Sequence, residues 1–195
     1  EFGSGGRFIG EEVAKKLGIA YYDKNIINEI AEKSGLSPEY IQENAELSPK
    51  KGLFAYAFAG RDVTGKSVED LVYEAQRKVI LELAEKESCV IIGRNADYIL
   101  KDTEGIQLVR AFIYAPNDVR VHNIMESHNL SEKDAKLLLD EKDKRYHKRH
   151  LALTGSNRGD RHNRDILINS DFLGIQGTAE YLEDLIAKKY GKKEA

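Results

Sequence analysis

The chain begins with EFGSGGRFIG, in which four of the ten residues are glycine. Glycine loses more conformational freedom on folding than any other residue, so glycines clustered before a helix need a reason. From Ile9 onward, apolar residues recur at helical spacing until Gly18, a typical C-terminal stop. A glycine-rich turn at a helix N-terminus combines bare N–H groups with the positive end of the helix dipole. The segment therefore predicts a phosphate-binding turn.

The turn departs from the usual phosphate-loop pattern, G-x-x-x-x-G-K-[ST]. Glu1 takes the place of the first glycine, Arg7 stands near the lysine and Phe8 stands near the Ser or Thr. Taken alone, the segment is explained equally well as a flexible glycine-rich terminus. Because a phosphate loop connects a strand to a helix, the phosphate interpretation predicts a first strand upstream of residue 1.

Short apolar runs alternate with helical patterns along the rest of the chain. The predicted strands are 19–22, 89–93, 107–115 and 165–170, and the main predicted helices after residue 60 are 68–84, 117–127, 131–147 and 177–190. This alternation favours a three-layer α/β fold, in which helices flank a parallel sheet. Ligands bind beyond the C-terminal ends of the strands in such sheets, so the loops there are the candidate sites.

Composition narrows the class of protein. A length of 195 residues suits one domain, and 30 basic against 33 acidic side chains give a net charge of -3, so any anion site must be local. The single cysteine, Cys89, cannot form an internal disulfide and lies in an apolar run, which favours a reducing compartment. No run approaches the roughly 18 apolar residues of a membrane span. We therefore expect a cytoplasmic protein that does not span a membrane.

Several blocks in order resemble the cytidylate kinase-like proteins, within the P-loop nucleoside-monophosphate kinase group. They are EFGSGGRFIG, LGIAYYDKNIINEIA, SCVIIGRNADYIL, FIYAPNDVRV, DKRYHKR and INSDFLGIQGTAEYLEDLI. The resemblance runs from residue 1 to about residue 186. It implies one P-loop kinase-like domain over residues 1–195, with a mobile acceptor-side insert near 36–67 and a lid near 142–164.

On the donor side, the resemblance implies that the glycine turn wraps the triphosphate of ATP. The implied phosphate-binding residues are Gly3, Ser4, Gly5, Gly6 and Arg7. Arg7 is also an implied catalytic residue, although arginine is a planar fork where lysine is a point charge. Asp23, at the end of the second strand of the expected fold, would bind a magnesium-bound water or the acceptor, or else cap the next helix.

On the acceptor side, Arg94 directly follows the apolar run CVIIG and matches the arginine of the family's G-R-D block. It is an implied catalytic and substrate-binding residue. Asn95 replaces the aspartate of that block, and residues 25–29 lack the arginine that binds the acceptor phosphate in cytidylate kinases. Glu29 would repel a phosphate there. These departures leave the identity of the acceptor open.

The predicted lid, residues 142–164, carries eight basic and two acidic side chains, a local charge of +6. The resemblance implies that its arginines fold over the phosphates, neutralise charge in the transition state and exclude water. Asp143 and Arg145 match one part of the family's lid block, and Arg149 matches a later arginine. Asp143 and Arg145 are implied to bind substrate, and Arg145 and Arg149 to act in catalysis. A solvated helix with a basic face explains the lysines equally well.

The sequence thus predicts a kinase that binds ATP with Mg²⁺ and transfers the γ-phosphoryl group to a small acceptor, with CMP or dCMP considered first. A kinase of another nucleotide or small metabolite is a second hypothesis. A third is a regulatory or sensor module that binds ATP with little transfer, because the loop lysine is absent. Nucleic-acid binding through the lid is disfavoured, since no aromatic stacking platform interleaves its arginines. The sequence leaves open whether the protein forms a homo-oligomer.

Overall fold

A computed structural model of the chain describes residues 1–23, 25–44 and 68–191. The elements before residue 90 are α1 (Gly6–Leu17), β1 (Ala20–Tyr22), α2 (Ile26–Ser34), α3 (Pro38–Asn44), α4 (Val68–Lys86) and the start of β2 (Cys89–Ile91). They are followed by α5 (Ala96–Ile99), β3 (Ala111–Tyr114), α6 (Asn117–His128), α7 (Glu132–Thr154), β4 (Ile166–Asn169) and α8 (Ser170–Tyr190). The mobile insert was predicted near residues 36–67, and residues 45–67 of it lie outside the described residues.

The four described strands form two parallel pairs. Tyr21 of β1 lies opposite Val90 of β2, and Ile113 of β3 lies opposite Ile168 of β4. The sequence predicted one parallel sheet, whereas the described strands form no hydrogen-bonded ladder between the two pairs. The parallel α/β character is confirmed. The strand expected upstream of residue 1 lies outside the sequence and stays a prediction.

Helices pack on both faces of the β1–β2 pair because successive side chains of a strand point to opposite faces. Val90 contacts a core formed by α1 and α8, which includes Ile9 and Leu182. Its neighbour Ile91 contacts a different core, formed by α2, α3 and α4 around Ile30. The first core also contacts β3 and β4, so α1 and α8 connect the two strand pairs.

Two helices differ in length from the sequence prediction. α7 continues to Thr154 instead of stopping at residue 147, because nothing breaks the helix before Gly155, whose φ of 69° ends it. α8 begins at Ser170 instead of residue 177, and Asn169 caps it by accepting a hydrogen bond from the backbone of Asp171. Gly174, with φ 66° and ψ 179°, interrupts this helix near its start, which hides the early turn from a search for regular periodicity. Because α7 extends to Thr154, the first half of the predicted lid is a continuous helix.

Candidate active site

The glycine turn, residues 3–6, leads directly into α1. Gly3 and Gly5 have φ values of 78° and 76°, a left-handed conformation that glycine adopts without steric penalty. The N–H groups of Gly5, Gly6, Arg7 and Phe8 donate to no acceptor within the described part of the chain. Four such donors at the positive end of a helix are chemically suited to an anion.

The carbonyl groups of the same turn are held by side chains from α6 and α8. The three bonds run from Arg120 Nε to the Phe2 carbonyl (2.7 Å), from Asn123 Nδ2 to the Gly3 carbonyl (2.8 Å) and from Ser170 Oγ to the Ser4 carbonyl (2.7 Å). A peptide unit is planar with its C=O and N–H on opposite sides, so these bonds fix where the N–H groups of Gly3, Ser4 and Gly5 point. The three anchoring side chains are not among the residues predicted from the sequence. The available signal was the spacing of Arg120 and Asn123, which puts both on one face of the helix that follows β3.

Arg7 is paired with Asp23 across the end of β1. Its Nε lies 2.6 Å from Asp23 Oδ2, and its Nη2 donates to Oδ1 at 3.5 Å. Asp23 is buried, at 7% exposure, whereas the Arg7 side chain is half exposed. The structure therefore brings together two residues that the sequence assigned to phosphate and to magnesium or acceptor. In this arrangement the guanidinium of Arg7 faces a carboxylate.

Arg94 and Asn95 form the turn between β2 and α5. Both have positive φ, 58° and 51°, and Arg94 is only 5% exposed. Gln76 of α4, which is fully buried, donates from Nε2 to the Arg94 carbonyl at 2.6 Å. Backbone strain of this kind in a non-glycine residue persists only where the surroundings fix it, and it clusters at functional sites. The turn is thus held rigidly at the carboxyl end of a strand, where ligands bind in α/β folds.

Arg145 and Arg149, the implied catalytic residues of the lid, lie on α7, and each contacts another side chain. Arg145 pairs with Glu141 one turn earlier, at 3.4 Å. Arg149, 6% exposed, reaches Glu69 of α4 at 3.2 Å, and its Nε has no hydrogen-bond partner among the described residues. A buried, partly unsatisfied guanidinium nitrogen is costly and points to a group that completes it.

His150 connects α7 to the turn after β2. The side chains of His150 and Asn95 are joined by a hydrogen bond of 2.9 Å between Nδ1 and Oδ1. The residue is 5% exposed, and burial lowers the pKa of its imidazole, which is also influenced by Asp97 and Arg164. A neutral imidazole is therefore the favoured form. No sequence motif predicts that His150 is buried, because its partner Asn95 lies 55 residues away along the chain.

Asp143 lies on the same face of α7 as His150 and contacts Arg120 of α6. Arg120 Nη2 donates to both of its oxygens at 2.8 Å, and Arg158 Nη1 approaches at 3.9 Å. Arg158 also stacks on the Tyr146 ring, with its guanidinium carbon 4.6 Å from the centroid. Residues 143 and 150 are seven apart, about two helical turns. α7 is therefore connected to the glycine turn through Arg120 at one end of this face, and it contacts the β2–α5 turn at the other.

A model of the cytidylate kinase-like family matches residues 1–172. The chain belongs to this family. The resemblance inferred from the sequence blocks is thereby confirmed, and nucleotide kinase chemistry is the activity that membership supports.

Named relatives of this cytidylate kinase-like chain are distant but nearly full-length. The cytidylate kinase of Pyrococcus horikoshii is 25% identical over 176 residues, which cover 90% of this chain and 79% of the relative. The cytidylate kinase of Thermococcus sibiricus is 25% identical over 194 residues, covering 99% and 88%. A crystal structure of an uncharacterized protein from Eubacterium ventriosum matches with a TM-score of 0.64 and 27% identity, covering 100% of this chain and 95% of that one. The similarity therefore extends over the whole domain.

Magnesium, which the family implies, has no protein cage in the described part of this cytidylate kinase-like chain. Over residues 1–23, 25–44 and 68–191, no three His, Cys, Asp or Glu side chains are placed to hold a metal ion. Asp23 lies beside the turn, but Arg7 engages it, and Phe8 offers no hydroxyl group where the usual pattern has Ser or Thr. The residues that the structure describes do not fit a resident metal site. Among the described helices, none is long and apolar enough to cross a membrane.

Proposed function

We propose that this chain is a nucleotide kinase that transfers the γ-phosphoryl group of ATP to a nucleoside monophosphate, with CMP or dCMP as the first candidate. The observation that carries the proposal is the geometry of the glycine turn. Side chains of α6 and α8 donate to its carbonyl groups, while four N–H groups at the start of α1 have no acceptor among the described residues. Relatives named cytidylate kinase support the choice of acceptor. A cytoplasmic location stays part of the proposal.

In this proposal the donor phosphates lie on the N–H groups of Gly5, Gly6 and Arg7. The protein has little covalent chemistry to perform in phosphoryl transfer, so it contributes alignment and charge neutralisation. Arg145 and Arg149 supply positive charge from α7, and closure of α7 over the phosphates excludes water. A preorganised donor of this kind contributes about a 100- to 1000-fold rate effect.

The acceptor binds at the carboxyl end of β2, next to Arg94. The guanidinium group matches the geometry of a phosphate oxygen pair. Asn95 offers a neutral amide beside it, and its oxygen is engaged by His150. Since no arginine occurs in residues 25–29, a different nucleotide or a small metabolite is a second acceptor class.

One contact favours a different function, a module that binds ATP with little transfer. Arg7 stands where the family pattern carries the loop lysine, and its Nε lies 2.6 Å from Asp23. A guanidinium held by a buried carboxylate cannot follow the phosphoryl group as a mobile lysine does. The sensor hypothesis therefore predicts ATP affinity without turnover.

The test is a panel of nucleoside monophosphates and small hydroxyl compounds incubated with γ-labelled ATP. Label transferred to CMP or dCMP supports the proposal, and label transferred only to another compound selects the second acceptor class. ATP binding in calorimetry with no transfer to any compound selects the sensor. Neither binding nor transfer refutes all three.

A matched pair of variants separates the role of Arg145 from general charge effects. R145A should lower turnover about 100-fold or more, as expected for loss of one transition-state donor. K144A removes the same charge from the adjacent, exposed position and should leave turnover near that of the unmodified protein. Equal turnover in the two variants would remove Arg145 from the site.

A further inference from the structure

Arg120 is a buried arginine that has no role in the phosphoryl transfer proposed above. It lies on α6 and is 3% exposed. Its three guanidinium nitrogens contact three different parts of the chain. The contacts are Nε to the Phe2 carbonyl (2.7 Å), Nη1 to Asn117 Oδ1 (3.2 Å) and Nη2 to both carboxylate oxygens of Asp143 (2.8 Å each). A buried guanidinium with this many partners holds one geometry.

The contact with Phe2 acts on the glycine turn. The Phe2 carbonyl shares its peptide plane with the N–H of Gly3, so a bond to the oxygen fixes the direction of the N–H. α6 also packs directly on this position, because a Cβ on Gly3 would lie 2.9 Å from the carbonyl oxygen of Arg120. The backbone and the side chain of one residue therefore both define the first peptide of the turn.

The contact with Asp143 acts on the lid helix. Asp143 lies in the middle of α7, and Arg158, which follows that helix, approaches the same carboxylate at 3.9 Å. Asp143 was implied by the family resemblance to bind substrate, yet its two oxygens are engaged by Arg120 here. A shift of α7 that moved this carboxylate would pull on the guanidinium that also holds the Phe2 carbonyl.

We propose that Arg120 is a positioning residue that couples the lid helix to the phosphate-binding turn, through one guanidinium shared between Asp143 and the Phe2 carbonyl. The inference rests on the proposed kinase function and extends it. Closure of α7 and orientation of the turn are then one event, so the turn reaches its binding geometry when the lid does. Asp143 holds the lid to Arg120 and does not contact the acceptor.

The experiment compares R120K, D143N and the control R110K. Lysine keeps the charge but has no fork, so R120K cannot hold the two partners together. Arg110 makes a similar pair with Asp165, at 2.9 Å and 3.1 Å, at the opposite end of β3 from the glycine turn. D143N keeps the size of the side chain and leaves the bond to Phe2 in place.

Three quantities are measured for each protein: the affinity for ADP by calorimetry, kcat and KM for each substrate, and amide hydrogen exchange of residues 3–8 without nucleotide. R120K should weaken ADP binding about 10- to 100-fold, the effect of a misplaced binding group, and speed exchange in the turn. D143N should lower kcat about tenfold with little change in the KM of the acceptor, because the lid is released while the acceptor site is intact. R110K should match the unmodified protein in all three.

The outcomes separate this inference from the function on which it rests. An unmodified protein that neither binds ADP nor transfers phosphate overturns both. An active protein in which R120K and R110K behave alike overturns the coupling alone. If R120K does not fold, D143N decides: an unchanged kcat, or a raised KM for the acceptor with kcat kept, overturns the proposal.

Discussion

Replacing Gly3 with alanine tests the packing of the glycine turn against α6. Gly3 has a φ of 78°, and an alanine in this left-handed region costs about 1–2 kcal/mol. Its Cβ would also lie 2.9 Å from the Arg120 carbonyl oxygen and 3.1 Å from Ile124 Cδ1. Because the oxygen belongs to the backbone of a helix, it cannot rotate away. Overpacking of this kind costs about 1–3 kcal/mol more. The free energy of unfolding of G3A should therefore fall by about 2–5 kcal/mol.

Gly18 provides the matched control. Its φ of 63° imposes the same backbone penalty, but a Cβ there meets nothing within 4 Å. G18A should therefore lose only about 1–2 kcal/mol. Urea denaturation gives both free energies, and calorimetry with ADP gives the affinity, which should fall in G3A and persist in G18A. Equal losses of stability together with equal ADP affinity would refute the packing of the turn on α6.

Three further substitutions probe neighbouring contacts. D23N should release Arg7 and tighten ADP binding about tenfold, since a charge-assisted hydrogen bond to phosphate becomes available; unchanged affinity would show that Arg7 does not reach the nucleotide. Burial lowers the pKa of His150 in the folded protein below the unfolded value of about 6.5, so the unfolded chain is protonated first as the pH falls. The stability present above the unfolded pKa is therefore lost as the pH falls through the lower folded pKa. H150Q should flatten that decline in urea titrations at successive pH values, and an identical slope would contradict it. S170A should lower the free energy of unfolding by about 1–3 kcal/mol by leaving a turn carbonyl unsatisfied, whereas S127A, at an exposed position within α6, should change it by about 0.5 kcal/mol or less; equal effects would remove Ser170 as an anchor.

Local sequence patterns were sufficient to predict most of the helices and strands. The run CVIIG predicted a strand, and the structure has β2 at Cys89–Ile91. The stripe from residue 68 to 84 predicted a long helix, which continues to Lys86. Both follow from short-range periodicity, which a single sequence records directly. Strand ends were less well predicted, because β3 occupies only residues 111–114 of the predicted 107–115.

The site was harder to predict because its contacts join distant parts of the chain. The glycine turn was identified from composition, but its anchor Arg120 is 118 residues from Phe2. No local pattern distinguishes an arginine that will be buried against a carbonyl from one that will be solvated. The predicted role of Asp143 illustrates the same limit: the family pattern marked the residue, while the partner that holds it became visible only when α6 and α7 were packed together.

α7 acts as a ruler. Its contact with Arg120 of α6, at Asp143, and its contact with the β2–α5 turn, at His150, are seven residues apart, which sets them about 10 Å from each other along the axis. One residue inserted between them would rotate the second contact by about 100° around the helix and detach it. Chain length in this stretch is therefore constrained more tightly than its amino-acid identity, and only insertions close to whole numbers of turns would keep both ends in register.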